Sequence, residues 1–120
     1  MAKIFTEQDI CEAAQAYFEA WNSHDLNFLS ATLSAKVALQ DWNVNVSGAH
    51  KVLKANSDIF ESFSGVKISV EDLYPCVSKL ACACEIKVLL NDITKSELKV
   101  IDVIHFDEEL KVTHVRAYKL

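Results

Sequence analysis

The sequence has few of the residues that interrupt regular structure. Its 120 residues include only two glycines and one proline, and 51% of them are hydrophobic. Disordered, collagen-like and linker proteins are therefore excluded, because they are rich in glycine or proline, or poor in apolar side chains to bury. A chain of this length has enough residues for one hydrophobic core of ordinary size. We predict a single domain over residues 1–120.

The sequence also lacks a long hydrophobic run and an excess of positive charge. No apolar stretch approaches the ~20 residues that a membrane-spanning helix needs. The N-terminal segment becomes acidic at Glu7 and Asp9, where a signal peptide would be apolar. Seventeen acidic residues against twelve basic ones give a net charge of −5, which disfavours binding to phosphate backbones and anionic lipids. We expect a cytoplasmic protein that binds neither nucleic acid nor membranes.

The four cysteines show neither a disulfide pattern nor a metal-binding pattern. A zinc site would need a second pair of ligands at ligand spacing, and the four histidines do not supply one. Cys82 and Cys84 alternate with Leu80, Ile86 and Val88 along one strand-like run, where reduced cysteine behaves as a small apolar residue. We therefore expect core cysteines and no metal.

Hydrophobic periodicity predicts helices in the first half of the chain. Thr6 followed by Asp9 is typical of a capping box, which would begin the first helix. The apolar stripe of this helix, at three- and four-residue spacing, consists of Ile10, Ala14, Tyr17, Phe18 and Trp21. Asp25 can cap a second, shorter helix. Its apolar residues are Leu26, Leu29 and Leu33. A short strand over 36–42 and a third helix over about 49–63 follow.

From Gly65 onward the period becomes two, which predicts strands over 66–74, 79–90, 97–106 and 110–119. The breaks between these strands are short and polar, so neighbouring strands are expected to pair antiparallel. The breaks are at Pro75, Asn91–Asp92 and Asp107–Glu109. Three helices followed by such a meander predict an α+β fold, in which the helices cover one face of a strongly curved, mostly antiparallel sheet that can enclose an apolar pocket.

One carboxyl group interrupts an otherwise apolar strand face. The even positions of the third predicted strand are Leu98, Val100, Asp102, Ile104 and Phe106. An inward Asp102 would need a charge partner or a proton, since burial raises the pKa of a carboxyl group, and the neutral acid could then donate a hydrogen bond. The odd face contains Ile101 and Val103 beside its polar residues, so an outward Asp102 is the alternative. Tyr17, on the inward helix stripe, also has a polar atom to satisfy, and Asp41 closes the short strand.

These segments resemble the ketosteroid isomerases and SnoaL-like proteins of the nuclear-transport-factor-2-like (NTF2-like) superfamily, which share a cystatin-like fold. The similar segments are Ala-Tyr-Phe-Glu-Ala-Trp-Asn-Ser-His-Asp-Leu over 16–26, Val-Ala-Leu-Gln-Asp over 37–41, Val-Ile-Asp-Val-Ile-His-Phe-Asp over 100–107 and Val-Arg-Ala-Tyr over 115–118. The resemblance implies a cone-shaped fold. It also implies that Tyr17 is the oxyanion-hole tyrosine, Asp41 the general base, and Asp102 a protonated acid that donates the second hydrogen bond to the oxyanion.

The residues expected to contact substrate are Trp42, Asn56, Phe60, Val100 and Ile104. Trp42 occupies a position where the family commonly has a proline, and Asn56 one where a tyrosine often supports the oxyanion-hole tyrosine. The resemblance implies an enzyme like the steroid delta-isomerases, which moves a proton next to the carbonyl of a small hydrophobic ketone. Such chemistry requires neither a metal nor an organic cofactor.

Two other functions remain open. The first is a cyclase, dehydratase or hydrolase of the same fold. Epoxide hydrolysis in this fold uses an Asp-Arg-Asp arrangement and dehydration an Asp-His pair, but Arg116 is expected to point outward, and His105 and His114 to lie on the surface or rim. The second is a non-catalytic module for ligand binding or dimerisation, in which Trp42 or Phe60 would fill the cavity.

A homodimer is also expected. Ile101 and Val103 would otherwise be exposed apolar residues on a strand in the middle of the sheet, and domains with a curved sheet of this kind commonly pair through its outer face.

Overall fold

The computed structural model describes residues 3–120 and has the predicted α+β architecture. The helices are α1 (Glu7–Ser23), α2 (Leu26–Ala31) and α3 (Ala49–Ser62). The strands are β1 (Leu33–Gln40), β2 (Asn45–Ser47), β3 (Lys67–Cys76), β4 (Ala81–Leu89), β5 (Glu97–Phe106) and β6 (Val112–Lys119). No helix in the described part of the chain is long and apolar enough to cross a membrane.

All six strands form one mixed sheet in the order β2-β1-β6-β5-β4-β3. The meander from β3 to β6 is antiparallel, as predicted, whereas β1 pairs with β6 in parallel. Leu39 is opposite Val115 and Gln40 is opposite Arg116 in this pair. The sequence pattern contained no information about that pairing, because the two strands are far apart in the chain. The parallel pairing of β1 with β6 brings Asp41, the residue after β1, next to the C-terminal half of β6.

The predicted capping box of α1 is confirmed. Thr6 Oγ1 accepts a hydrogen bond from the Asp9 N–H, and the Asp9 carboxylate accepts one from the Thr6 N–H. The helix ends at His24, which has a left-handed backbone conformation with φ 59°. Between these ends α1 packs on the sheet, mainly on β3, and turns Tyr17 and Trp21 into the core.

The boundary between α2 and β1 differs from the prediction. Asp25 caps α2, accepting hydrogen bonds from the N–H groups of Asn27 and Phe28, but the helix ends at Ala31. Leu33, predicted in the stripe of α2, instead begins β1, because it pairs with Val112 of β6. Pairing with a distant strand outweighs the local helical pattern here. β1 therefore begins earlier than predicted and ends before Asp41.

The break predicted at Pro75 and its neighbours lies two residues further along the chain. β3 continues to Cys76, and the chain reverses in a 3₁₀ turn at Val77–Lys79 followed by Leu80, which has φ 47°. β3 is an edge strand that pairs only with β4. Pro75 is tolerated there because an edge strand does not need every N–H group in the ladder.

The helices cover one face of the sheet, and Asp102 lies on that covered face. Its side chain is only 6% exposed, and it lies between Cys84 of β4 and Ala117 of β6. The inward orientation of Asp102 is therefore confirmed. Ile101 and Val103 are half-buried on the opposite face, which we call the outer face.

Candidate active site

A cavity of about 320 Å³ lies between α1, α3 and the covered face of the sheet. This volume is at the lower end of the range for small-molecule pockets. The walls are mostly apolar and include Trp21, Leu39, Ile59, Ile68, Ile86 and Val100. Tyr17, Asp41 and Asp102 line the same cavity. The structure thus brings together, from α1, the end of β1 and the middle of β5, the three side chains selected from the sequence.

The Asp102 carboxyl group has no hydrogen-bond or ion-pair partner among residues 3–120, although the residue is buried. Burial raises its pKa to about 7, and the negative charge of Asp41 adds to the shift. Among residues 3–120, Arg116 Nε is the only side-chain nitrogen or oxygen that is fully enclosed and has no hydrogen-bond partner. The oxygens of Asp102 also have no partner, so they are not fully enclosed and reach open cavity space. Asp102 is therefore an acid that can keep its proton near neutral pH and donate a hydrogen bond to a ligand.

The Tyr17 hydroxyl is the second donor in the cavity. Tyr17 is 4% exposed, and its ring packs edge-on against Phe18 at a centroid distance of 5.3 Å. Burial strongly raises the pKa of this hydroxyl, and the charge of an ionised Asp102 would raise it further. Like Asp102, the hydroxyl has no hydrogen-bond partner in residues 3–120 and is not fully enclosed. Tyr17 therefore stays protonated and is free to donate to a ligand.

Asp41 is held by the turn that follows β1. One carboxylate oxygen, Oδ1, accepts hydrogen bonds from the N–H groups of Asn43 and Val44, both at 2.7 Å. The Asp41 N–H donates in turn to the Val44 carbonyl at 2.8 Å. No described residue donates to Oδ2. The turn therefore fixes the carboxylate while leaving one oxygen free to take a proton.

Asn56 supports a cavity wall rather than Tyr17. Its Oδ1 accepts a hydrogen bond from Trp21 Nε1 at 3.0 Å, and its Nδ2 donates to the Val52 carbonyl at 3.0 Å. Asn56 also lines the cavity, as expected from the sequence. Sequence reasoning missed that Asn56 fixes the indole of Trp21. A helix stripe shows that a tryptophan is buried, but it does not show what its N–H group binds.

The other predicted substrate-binding residues divide into two groups. Trp42 and Val100 line the cavity. Phe60 and Ile104 do not line it: Phe60 packs against Trp21 at 4.8 Å and stacks on His24 at 4.3 Å, while Ile104 is fully buried in the core. Trp42 is 41% exposed, and neither aromatic side chain fills the cavity. Phe60 and Ile104 are therefore packing residues that support the cavity from behind.

The candidate groups for other chemistries lie elsewhere. His105, His114 and Arg116 project from the outer face, where Arg116 Nη2 donates a hydrogen bond to His105 Nε2 at 3.0 Å. The cavity wall, as far as the described residues form it, contains no histidine and no arginine. Residues 3–120 also contain no group of three or more side chains arranged to hold a metal ion.

No protein-family model matches the sequence, and no curated protein is similar to it. Solved structures are similar in fold. An NTF2-like protein of unknown function from Cytophaga hutchinsonii is 10% identical, with a TM-score of 0.75 over 100% of this chain and 95% of that one. A protein from Sinorhizobium meliloti named as a polyketide cyclase is 14% identical, with a TM-score of 0.80 over 95% of this chain and 100% of that one.

A third similar structure is a protein from Kribbella flavida named as a ketosteroid isomerase. It is 15% identical, with a TM-score of 0.78 over 95% of this chain and 79% of the other. The fold of the chain is therefore NTF2-like, the cystatin-like α+β fold that SnoaL-like proteins share. Some proteins with this fold are enzymes, and others have no known function. At these identities the comparisons establish the fold alone.

Proposed function

We propose that the protein is an enzyme that moves a proton next to the carbonyl group of a small hydrophobic ketone. One observation carries the proposal. A carboxylate with a free oxygen and two neutral donors without protein partners, Asp41, Tyr17 and Asp102, line one cavity whose other walls are mostly apolar. This arrangement suits an anionic intermediate that is neutralised by hydrogen bonds rather than by cations.

The reaction follows from the role of each group. Asp41 takes a proton from the carbon next to the carbonyl, and the electron pair of the broken C–H bond moves into the π system, which places negative charge on the carbonyl oxygen. Tyr17 Oη and the protonated Asp102 donate hydrogen bonds to that oxygen. Asp41 then returns the proton to another carbon of the conjugated system, so that the double bond moves and the carbonyl forms again.

The donors gain strength as the oxygen becomes negative. Loss of one such donor typically costs about 3 kcal/mol of transition-state stabilisation. A dry, apolar cavity enhances these interactions, because little water screens the developing charge. The raised pKa of Asp102 is useful here, since an ionised Asp102 would repel the enolate instead of stabilising it.

Cyclase, dehydratase and epoxide hydrolase activities have less support. The schemes that use an Asp-His pair or an Asp-Arg-Asp set would need a histidine or an arginine in the cavity, whereas His105, His114 and Arg116 are on the outer face. A purely non-catalytic role is also disfavoured, because Trp42 does not fill the cavity, and the Tyr17 hydroxyl and the Asp102 carboxyl group in it have no partner in residues 3–120.

The proposal is tested with a β,γ-unsaturated ketone, whose conversion to the conjugated ketone is followed by ultraviolet absorbance. Asp41→Asn should slow conversion by about 10²- to 10⁴-fold, the range for loss of a general base. The same variant should bind 2-naphthol, a mimic of the enolate, at least as tightly as the wild type does, because a negative charge near the ligand is removed.

Asp58→Asn, which removes an exposed carboxylate on α3, is the matched control and should change neither property. The proposal is wrong if Asp41→Asn keeps the wild-type rate. It is also wrong if the wild type converts none of a series of such ketones and binds no naphthol.

A further inference from the structure

A buried pair of polar side chains joins α1 to α3 at the wall of the cavity. Trp21 Nε1 donates a hydrogen bond to Asn56 Oδ1 at 3.0 Å, and both residues line the cavity. Trp21 follows Tyr17 by four residues on the inward stripe of α1, and side chains at this spacing are neighbours on a helix. The indole N–H is therefore a further hydrogen-bond donor, one helical turn away from Tyr17.

The Asn56 amide has a defined orientation between its two partners. Its Nδ2 donates to the Val52 carbonyl at 3.0 Å, and a carbonyl oxygen can only accept. The amide oxygen faces the indole N–H of Trp21, which can only donate. Each contact thus joins a donor to an acceptor. As long as the Asn56 amide is present, the indole N–H is occupied and does not bind a ligand.

The ring of Trp21 is also held by aromatic contacts that do not involve Asn56. It packs edge-on against Phe60 at a centroid distance of 4.8 Å and against His24 at 6.2 Å. Phe60 stacks on His24 at 4.3 Å, and His24 Nε2 is hydrogen-bonded to the Val66 carbonyl at 2.7 Å. Removal of the Asn56 amide would therefore leave the ring in place and free its N–H group.

A free indole N–H would compete with the donors that stabilise the oxyanion. A buried N–H group without an acceptor is costly, so a carbonyl oxygen that reaches the indole would be held there. The ketone would then have its carbonyl away from Tyr17 and Asp102, and its acidic C–H bond away from Asp41. Such a complex is unproductive, because the base and the donors must act on the same carbonyl compound in one geometry.

We propose that Asn56 is a positioning residue that sets the orientation of the substrate by occupying the N–H group of Trp21. With this donor occupied, the carbonyl group binds Tyr17 and Asp102, and an apolar part of the ketone lies against the indole. The substrate class is thus a ketone without a second polar group at the end that contacts Trp21. This role rests on the proposed function for its chemistry, but its effect on ligand binding is measured without turnover.

The binding test is a double-mutant cycle with 2-naphthol, measured by calorimetric titration. In the wild-type background Tyr17→Phe should weaken binding about tenfold, which corresponds to the loss of one hydrogen bond to the ligand. In the Asn56→Ala background the free indole can hold the naphthol oxygen, so Tyr17→Phe should weaken binding less than about threefold. Addition of Trp21→Phe to Asn56→Ala should restore the full effect of Tyr17→Phe, because the competing donor is then absent.

The turnover test uses the β,γ-unsaturated ketone. Asn56→Ala should lower kcat and KM several-fold by the same factor, so that kcat/KM stays unchanged. At saturation part of the enzyme holds the ketone in the wrong orientation, whereas at low ketone concentration most of the enzyme is free and the competing complex has no effect. Trp21→Phe should restore both constants in the Asn56→Ala background. A merely structural role of Asn56 predicts no such rescue, since Trp21→Phe removes a second buried group.

Two further variants separate this role from general destabilisation. Asn56→Ser can keep a bond to the Val52 carbonyl through its hydroxyl while it frees the indole, so it should reproduce the Asn56→Ala results even if Asn56→Ala does not fold. Asn91→Ala removes a side-chain hydrogen bond to the Gly65 carbonyl outside the cavity. It should leave the effect of Tyr17→Phe on naphthol binding unchanged.

Three outcomes would overturn the proposal. Tyr17→Phe weakens naphthol binding equally with and without the Asn56 amide, or Trp21→Phe does not restore the effect, or the wild type binds no naphthol. It is also wrong if Asn56→Ala alone weakens naphthol binding as much as Tyr17→Phe does, because the amide would then contact the ligand directly.

Failure of the proposed function looks different. The binding cycle would then show the expected dependence on Asn56 and Trp21, while the wild type converts no unsaturated ketone. That result would keep the orienting role of Asn56 for a bound ligand and remove the proton-transfer chemistry.

Discussion

The burial of Asp102 predicts a measurable dependence of stability on pH. Its pKa is raised from an ordinary value of 3.8 to about 7 in the native protein. Between about pH 4 and pH 7 the native state therefore binds more protons than the unfolded state, so the free energy of unfolding falls as pH rises through that window. At 1.36 kcal/mol per pKa unit, the full shift of about three units lowers the free energy of unfolding by roughly 4 kcal/mol. The whole of this loss applies above pH 7.

Asp102→Asn isolates this effect because the amide has nearly the same shape and does not titrate. Urea unfolding of the wild type and of Asp102→Asn is compared from about pH 5 to about pH 8.5. Linkage predicts that the stability of the wild type relative to the variant falls by roughly 3 kcal/mol across this range. Glu19→Gln, which removes an exposed carboxylate on α1, should show a difference from the wild type that hardly changes with pH.

A pH-independent difference between the wild type and Asp102→Asn would refute this reasoning. It would mean that Asp102 has nearly the same pKa in the native and unfolded states. The acid would then be ionised at neutral pH and could not donate a hydrogen bond to an oxyanion.

Two further predictions concern the second donor and the outer face. Tyr17→Phe should slow turnover about 10²- to 10³-fold and weaken 2-naphthol binding. The free energy of unfolding should change little, because the hydroxyl has no protein partner in residues 3–120 to lose. A large loss of stability with normal turnover would contradict this role. We also propose that the protein forms a homodimer through Ile101 and Val103 on the outer face. Sedimentation should show a dimer for the wild type and a monomer for Val103→Lys. A wild-type monomer at micromolar concentration would contradict the proposal.

Most of the helices and strands could be predicted because helix capping and hydrophobic periodicity depend on residues that are close together in the chain. The capping box at Thr6 and Asp9 and the alternation along β5 both depend on neighbours in the chain, and the structure has both. The boundary between α2 and β1 at Leu33 and the continuation of β3 through Pro75 depend on which strands pair. The hydrophobic periodicity of a single segment does not show which strand it pairs with.

The candidate site shows the same division. Asp102 could be found from the sequence because a carboxyl group on an apolar strand face is anomalous on its own. Asp41 was noted at the end of the short strand, but its role as general base was assigned only through the family resemblance. The turn that orients it involves Asn43 and Val44, and its place at the cavity follows from the parallel pairing of β1 with β6.

The central claim is that Asp41 removes a proton from a carbon next to a carbonyl group inside the cavity. Hydrogen–deuterium exchange at that carbon tests it most directly. An unsaturated ketone is incubated with the protein in D₂O, and loss of the carbon-bound proton is followed by NMR whether or not the double bond moves. Exchange is expected with the wild type, and exchange at least about a hundredfold slower is expected with Asp41→Asn. Equal exchange rates for the two proteins, or no exchange above the uncatalysed rate for ligands that bind the cavity, would contradict it.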